Sequence, residues 1–175
     1  IFPGDLIELG NHRLVCGDST NPQHVELALG GITPLLMVTD PPYGVSYDDS
    51  WRVEQGLSKT SSLMAVTNDH TANWSDAWSL FPGNVVYCWT ANGPLHCDVY
   101  QHLLDNDFEC KHLIIWGKSS LVIGRGNYHH QHESCWYAVR KNATSNWYGD
   151  RKQSTLWMID KPRKNETGHS TQKPV

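Results

Sequence analysis

The sequence predicts an α/β fold built on an open, mainly parallel sheet with helices on both faces. Three observations carry that expectation. Short apolar runs bounded by turn residues recur along the chain, at Leu35-Leu36-Met37-Val38-Thr39, Asn84-Val85-Val86-Tyr87-Cys88-Trp89 and Lys111-His112-Leu113-Ile114-Ile115-Trp116, and runs of this length read as buried strands. Helix-like stretches lie between them, and alternation of strands with helices favours parallel pairing. At 175 residues there is room for one domain with a real core, so residues 1–175 are read as a single unit.

Taken in order, Leu14-Val15-Cys16 is the first strand candidate, and a helix is expected over residues 22–29 with Asn21 as its N-cap. The strand at Leu35-Leu36-Met37-Val38-Thr39 runs into Asp40-Pro41-Pro42-Tyr43. Residues 44–72 are polar, Ser/Asp-rich and without a clean period, so they read as a long loop or loop-helix segment of the kind that carries function or disorder. A helix is expected over residues 74–81. Pro82-Gly83 turns the chain into the strand at Asn84, and a further helix over residues 94–105 leads to the strand at Lys111. Cys135-Trp136-Tyr137-Ala138-Val139-Arg140 and Ser154-Thr155-Leu156-Trp157-Met158-Ile159 are the last strand candidates.

Composition narrows the function classes. No apolar stretch approaches the ~18 residues of a membrane span, and Ile1-Phe2-Pro3-Gly4-Asp5 lacks the basic and apolar regions of a signal peptide. The five cysteines, Cys16, Cys88, Cys97, Cys110 and Cys135, are odd in number and form no Cys-x-x-Cys pair. Free thiols in a reducing cytoplasm are therefore expected, not a disulfide framework or a zinc knuckle. The net charge of −4 conceals a split: residues 1–110 hold 3 Lys/Arg and 14 Asp/Glu, residues 111–175 hold 11 and 4. The basic half is a candidate phosphate-facing surface. Whether Arg125, Arg140, Lys141, Arg151 and Lys152 share one face stays open at this point.

The quartet Asp40-Pro41-Pro42-Tyr43 carries the chemistry. Strand ends are where open α/β sheets hold their ligands. The two prolines fix φ and have no N–H, so the turn is stiff and its carbonyls are free to accept. A carboxylate, a free carbonyl and an aromatic face in one turn suit a flat ring bearing an amino group. This quartet resembles the catalytic motif of the S-adenosylmethionine-dependent DNA amino-methyltransferases, which methylate adenine N6 or cytosine N4. Two further segments resemble that family in the branch where this motif comes early: Leu14-Val15-Cys16-Gly17-Asp18-Ser19 before it, and His169-Ser170-Thr171-Gln172-Lys173-Pro174 after it.

The resemblance implies a Rossmann-like methyltransferase sheet, S-adenosylmethionine as cofactor, and double-stranded DNA as partner. Asp40 and the Pro41 carbonyl would accept the two N–H bonds of the amine and draw its nitrogen toward a tetrahedral geometry. Pro42 stiffens the turn, and Tyr43 would stack on a base flipped out of the duplex. Asp18 would lie by the cofactor's adenine, and His169, Thr171, Gln172, Lys173 and Pro174 would lead into the cofactor site. Asp at the first motif position leans toward adenine N6. Cysteine catalysis is not expected, because no cysteine sits in a Pro-Cys context.

The chain departs from the family in one respect. The branch continues with a strand and a glycine-rich Asp-Pro-Phe-x-Gly-x-Gly turn at the cofactor's methionine end, and this chain stops at Val175 before it. The expectation is a partial catalytic domain lacking its C-terminal cofactor-binding strands, completed by a complementing segment or by a second copy in a homodimer. A bacterial or phage cytoplasmic setting goes with this reading.

Residues 124–137 hold Tyr128, His129, His130, His132, Glu133 and Cys135. His130 and His132 complete no recognised zinc spacing, so no metal is expected. The stretch resembles a region of phage members of the family, where it would wall the base pocket. Tyr128, His132 and Trp136 are the candidate base contacts, with Arg125 and Arg151 on phosphate, against core packing for the aromatics. Eight tryptophans are read mainly as packing. Two other readings stay alongside: a methyltransferase of the same architecture on RNA or a protein amide, and a non-enzymatic nucleic-acid-binding fragment.

Overall fold

The computed structural model describes all residues except 47, 49, 58, 60–67, 125, 161–172 and 174–175, and no side chain at 51–52. A two-stranded hairpin opens the chain, β1 (Leu6–Leu9) antiparallel to β2 (His12–Val15). Its turn is Gly10-Asn11, with Gly10 at φ +62°, a conformation that suits glycine in a two-residue hairpin loop. Helix α1 (Pro22–Leu29) follows. Asn21 caps it by accepting from the Gln23 N–H, proline takes the first helical position where an N–H is dispensable, and Gly30 closes it in the left-handed region.

The remaining elements are β3 (Leu36–Thr39), α2 (Ser50–Glu54), α3 (Ser75–Ser79), β4 (Val85–Thr90), α4 (Leu95–Asp105), β5 (Phe108–Val122), β6 (His130–Arg140) and β7 (Leu156–Met158). Five of the strands form one sheet in the order β3-β4-β6-β5-β7. β3 and β4 pair in parallel, as do β5 and β7, while β6 runs antiparallel to both β4 and β5. Four of the five strands thus point one way and β6 alone opposes them, so the α/β, mainly parallel expectation holds. β6 is reversed because only residues 123–129 connect it to β5, and a connection that short joins antiparallel neighbours. The first strand candidate, at Leu14, belongs to the hairpin and not to this sheet.

Alternation along the strands sends side chains to two faces. One face carries Val86, Cys88, Phe108 and Ala138, packed beneath Trp78, Phe81, Val99 and Leu103 from α3, its exit and α4. The other carries Trp89, Ile114, Trp116 and Cys135, with Tyr87, Tyr137 and Trp157 packed against them. A bulge in β5 between Cys110 and His112 shifts the register by one. It moves the strand's apolar set from the α4 face to the opposite face, which is the expected effect of one extra residue on a period of two. Among the described residues, β7 extends the second face at the sheet edge and adds Trp157 to its cluster, and loop residues 143–155 wall a cavity of about 540 Å³ over Tyr87, His112 and Tyr137.

Arg140 ends β6. It donates to the carbonyls of Phe81 (2.7 Å), Gly83 (3.2 Å) and Asn106 (3.4 Å), and its guanidinium lies 4.4 Å from the Phe108 ring centre. Its charge therefore ties the β4 entry and the α4 exit together, and it does not join a phosphate-facing surface with Lys141 and Arg151.

Candidate active site

Among the described residues β3 is one edge of the sheet, and the chain leaves its C-terminal end directly into Asp40-Pro41-Pro42-Tyr43. The turn is braced from two sides. The Trp74 indole N–H donates to the Pro42 carbonyl at 2.9 Å. Buried Asp69 accepts from the Gly44 N–H at 3.0 Å and the Val45 N–H at 3.3 Å, and its own carbonyl takes the Ser46 N–H at 2.8 Å. Gly44 has φ +72°, and a Cβ there would sit 2.7 Å from the backbone of Thr71 and Ala72. Two segments of main chain thus touch at a point that only glycine fits. With Pro42 engaged, the Pro41 carbonyl is left without a partner among the described residues.

Three charged or polar side chains meet inside this turn. The Tyr43 hydroxyl donates to Asp40 Oδ1 at 2.8 Å. Lys173 Nζ lies 2.9 Å from Asp40 Oδ2 and donates to the Tyr43 hydroxyl at 3.1 Å. The same ammonium sits 5.6 Å from the Tyr43 ring centre and 5.3 Å from that of Trp89. Burial, and then the Asp40 charge, push the Tyr43 hydroxyl well above the ordinary tyrosine value, so it remains a donor. Lys173 is further held by Glu133 Oε2 at 2.8 Å, and Glu133 Oε1 pairs with Lys118. Burial pushes the Glu133 carboxyl up. The hydrogen bond from Lys118 and the ammonium charges of Lys173 and Lys118 more than offset this, leaving it below the ordinary glutamate range.

A glutamate whose folded value is lowered binds its proton more readily in the unfolded chain. Its stabilising contribution is complete above about pH 4.3 and is lost as pH falls through the lower folded value. Wild type is therefore expected to unfold at a higher temperature than Glu133→Gln at pH 7, with the gap closing in acid. Calorimetric scans of both proteins against pH check this, and a gap that widens on acidification would contradict it.

A cavity of about 770 Å³ opens beside the turn, lined by Asp40, Pro41, Pro42, Asp18, Val38 and Trp78 among others. Its size lies within the range of small-molecule sites. Asp18 Oδ1 accepts from the Thr20 N–H at 2.8 Å and the Thr20 hydroxyl at 2.7 Å, and these bonds lower its carboxyl below the ordinary aspartate value. The Asp18 N–H donates to His24 Nδ1 at 3.0 Å. Asp18 is thus both the anchor of its own turn and a wall of the cavity.

The chain is similar to a number of solved structures, two of them as follows. One is the crystal structure of the M1.HpyAVI–SAM complex, with a TM-score of 0.47 and 19% identity over 79% of this chain and 60% of that one. The other is M1.HpyAVI, with a TM-score of 0.47 and 17% identity over 73% of this chain and 56% of that one. The chain spans about three-fifths of those proteins. No family model matches it, and no curated protein does.

The structure joins three of the sequence-derived residues, Asp40, Tyr43 and Lys173, and brings Asp18 to the same cavity. His169, Thr171, Gln172, Pro174 and Arg125 lie outside the described residues. Tyr128 is exposed in the β5–β6 connection. The His132 side chain is also exposed, and its carbonyl accepts from the Asn92 side chain at 2.7 Å. Trp136 calls for a correction. It packs beneath α4, 5.1 Å from the Tyr100 ring centre, with its indole N–H donated to the His96 carbonyl at 3.1 Å. Strand alternation puts it on the face opposite Glu133, so its area serves the core. Arg151 lines the 540 Å³ cavity, whose walls do not include Asp40.

Sequence reasoning missed Glu133, Lys118, Trp74 and the bracing role of Asp69. Glu133 was detectable: in β6 it falls in step with Cys135 and Tyr137, and a carboxylate in line with an apolar face needs a partner. The thiols are poor nucleophile candidates. Burial pushes Cys110 and Cys135 up to about 12, and Cys88 higher still. Among the described residues no cluster suited to a metal occurs.

Proposed function

We propose that this chain carries the catalytic turn of a DNA amino-methyltransferase, transferring a methyl group from S-adenosylmethionine to the exocyclic amine of a flipped base, adenine N6 first. One observation carries the reading. The Asp-Pro-Pro-Tyr turn and the lysine of the Gln-Lys-Pro segment, 130 residues apart for the Tyr43–Lys173 pair, meet at the end of an edge strand beside a cavity of cofactor size.

An exocyclic amine is a weak nucleophile because its lone pair is delocalised into the ring. Asp40 and the Pro41 carbonyl can accept its two N–H bonds and localise that lone pair on nitrogen. The turn is held rigid from Trp74 and Asp69, so little reorganisation is needed when the amine arrives. In this structure the Tyr43 hydroxyl is turned to Asp40, so Tyr43 would both aim the carboxylate and offer its ring to the base. Bound S-adenosylmethionine would supply the methyl group as an electrophilic sulfonium. The cavity volume and Asp18 suit it, while the sequence contains no glycine-rich turn for its methionine end. A single partial catalytic domain, a double-stranded DNA partner, a homodimer or complementing segment, and a cytoplasmic setting belong to the same proposal.

The test is a methyl-transfer assay with labelled cofactor and unmethylated duplex DNA, the product nucleosides identified by mass spectrometry. N6-methyldeoxyadenosine is expected. N4-methyldeoxycytidine would keep the reaction and correct the base. Methylation of RNA or protein but not DNA would move the substrate class. Specific DNA binding without any methylated product would favour a binding fragment over an enzyme.

A further inference from the structure

We infer that Glu133, tied down by Lys118, is the positioning residue that holds Lys173 against the Asp40 carboxylate. The inference deepens the proposed function and rests on it. Glu133 comes from β6, two strands away from β3 in the sheet order, and lies in step with Cys135 on the face that carries Trp89. Its side chain is 20% exposed, that of Lys118 11% and that of Lys173 19%. The Lys118 ammonium is itself held 4.8 Å from the Trp116 ring centre, and Trp116 is buried with its indole N–H on the Ile159 carbonyl at 2.6 Å. The chain of contacts therefore runs from the buried second face through Lys118 and Glu133 to Lys173, and ends at Asp40.

The charge count explains the arrangement. Two carboxylates, Asp40 and Glu133, flank one ammonium, at 2.9 Å and 2.8 Å. Lys118 supplies the second cation, so the cluster of four is neutral and its partly buried members are paired. Lys173 comes from a segment far from β3, and a lysine side chain has many rotamers, so contact with Asp40 alone would hold it loosely. Glu133 fixes the other side of the ammonium. With Tyr43 on Oδ1 and Lys173 on Oδ2, the Asp40 carboxylate is clamped in one orientation at the wall of the 770 Å³ cavity. When the amine arrives, Lys173 keeps Glu133 as a partner and need not leave the site.

The test compares wild type with Glu133→Gln in two readouts. The first requires no turnover: reductive methylation of lysines, mapped by mass spectrometry. In wild type Lys173 is expected to react slowly beside the exposed Lys111 and Lys141. In Glu133→Gln it should react severalfold faster while Lys111 and Lys141 stay unchanged. The second is methyl transfer: kcat is expected to fall by about tenfold to a hundredfold, the scale of a misplaced catalytic group, with the KM for DNA little changed and the acid limb of the pH–rate profile moved. Glu133→Asp, which keeps the charge and gives up one methylene of reach, should fall between the two. Unchanged Lys173 labelling in the Gln variant overturns the inference, as does unchanged kcat with an unchanged pH profile. Absence of product from wild type would count against the proposed function alone, since the labelling contrast still decides the role of Glu133. Should the Gln variant not fold, the Asp variant decides: Lys173 labelling equal to wild type overturns the inference, and faster labelling supports it.

Discussion

Asp40→Ala is expected to lower kcat for methyl transfer by about 10²–10³-fold, the usual cost of removing one preorganised hydrogen-bonding group aimed at developing charge. The Asp40 side chain is 46% exposed, so its loss opens no core cavity. Tyr43 would lose its acceptor at 2.8 Å, but its hydroxyl keeps the Lys173 contact at 3.1 Å, and Lys173 keeps Glu133 at 2.8 Å. The melting temperature should therefore change by no more than a few degrees, since surface substitutions generally stay within about ±0.5 kcal/mol. The KM for DNA should also change little, because duplex affinity comes mainly from phosphate contacts. Steady-state kinetics and a thermal melt on the same preparation check both halves. More than a tenth of wild-type turnover in the variant would remove Asp40 from the chemistry. A large drop in melting temperature would make the lost activity uninformative.

Much of the fold was legible because local signals and tertiary placement agreed. Asn21 before Pro22, the run into Asp40, and Pro82-Gly83 before Val85 each carry their own start or stop signal, and the structure begins α1 and β4, and ends β3, within a residue of those marks. The strands were harder where pairing, and not propensity, decides. Lys118, Ser119 and Ser120 have no strand character, yet β5 runs through them to Val122, where pairing with β6 resumes at His130 after an irregularity that begins beyond Gly117. The reversal of β6 and the bulge after Cys110 are likewise products of the pairing. The opening hairpin has its one local signal in Gly10-Asn11, a two-residue turn pair, since the flanking runs Leu6–Leu9 and His12–Val15 do not alternate.

The site divides along the same line. Asp40 and Tyr43 stand three residues apart in one turn, so sequence shows them together. The family resemblance put Lys173 at the cofactor site, and its contacts with Asp40 and Tyr43 were not legible in the sequence. Glu133 and Lys118 could not be connected to Asp40 from sequence, because their place depends on β6 lying between β4 and β5. Trp136 was misjudged for a related reason. An aromatic in a candidate site segment and an aromatic under a helix look alike until the strand's two faces are assigned.

Trp78→Ala should have the largest effect on stability of any change to the core. Trp78 is 1% exposed and sits in α3 among Phe81, Val86, Leu103 and Phe108, its ring centre 6.4 Å from that of His102. Truncating a fully buried large aromatic costs about 3–5 kcal/mol in lost transfer energy and residual cavity. That is a large share of a typical total of about 5–15 kcal/mol, and in a chain of this size it corresponds to a fall in melting temperature on the order of 10 °C. Trp78→Phe keeps most of the apolar area and should lose far less. The effect reaches the site through α3, because Trp78 N–H donates to the Trp74 carbonyl at 3.0 Å and Trp74 in turn holds the Pro42 carbonyl. Turnover in Trp78→Ala should therefore fall at temperatures where the variant is still folded, and recover on cooling, whereas Asp40→Ala stays inactive at every temperature. Calorimetry with parallel activity measurements across temperature separates the two. A melting temperature within about 3 °C of wild type, less than 1–2 kcal/mol on the same scale, would mean that α3 packs on the sheet far more loosely than these contacts require.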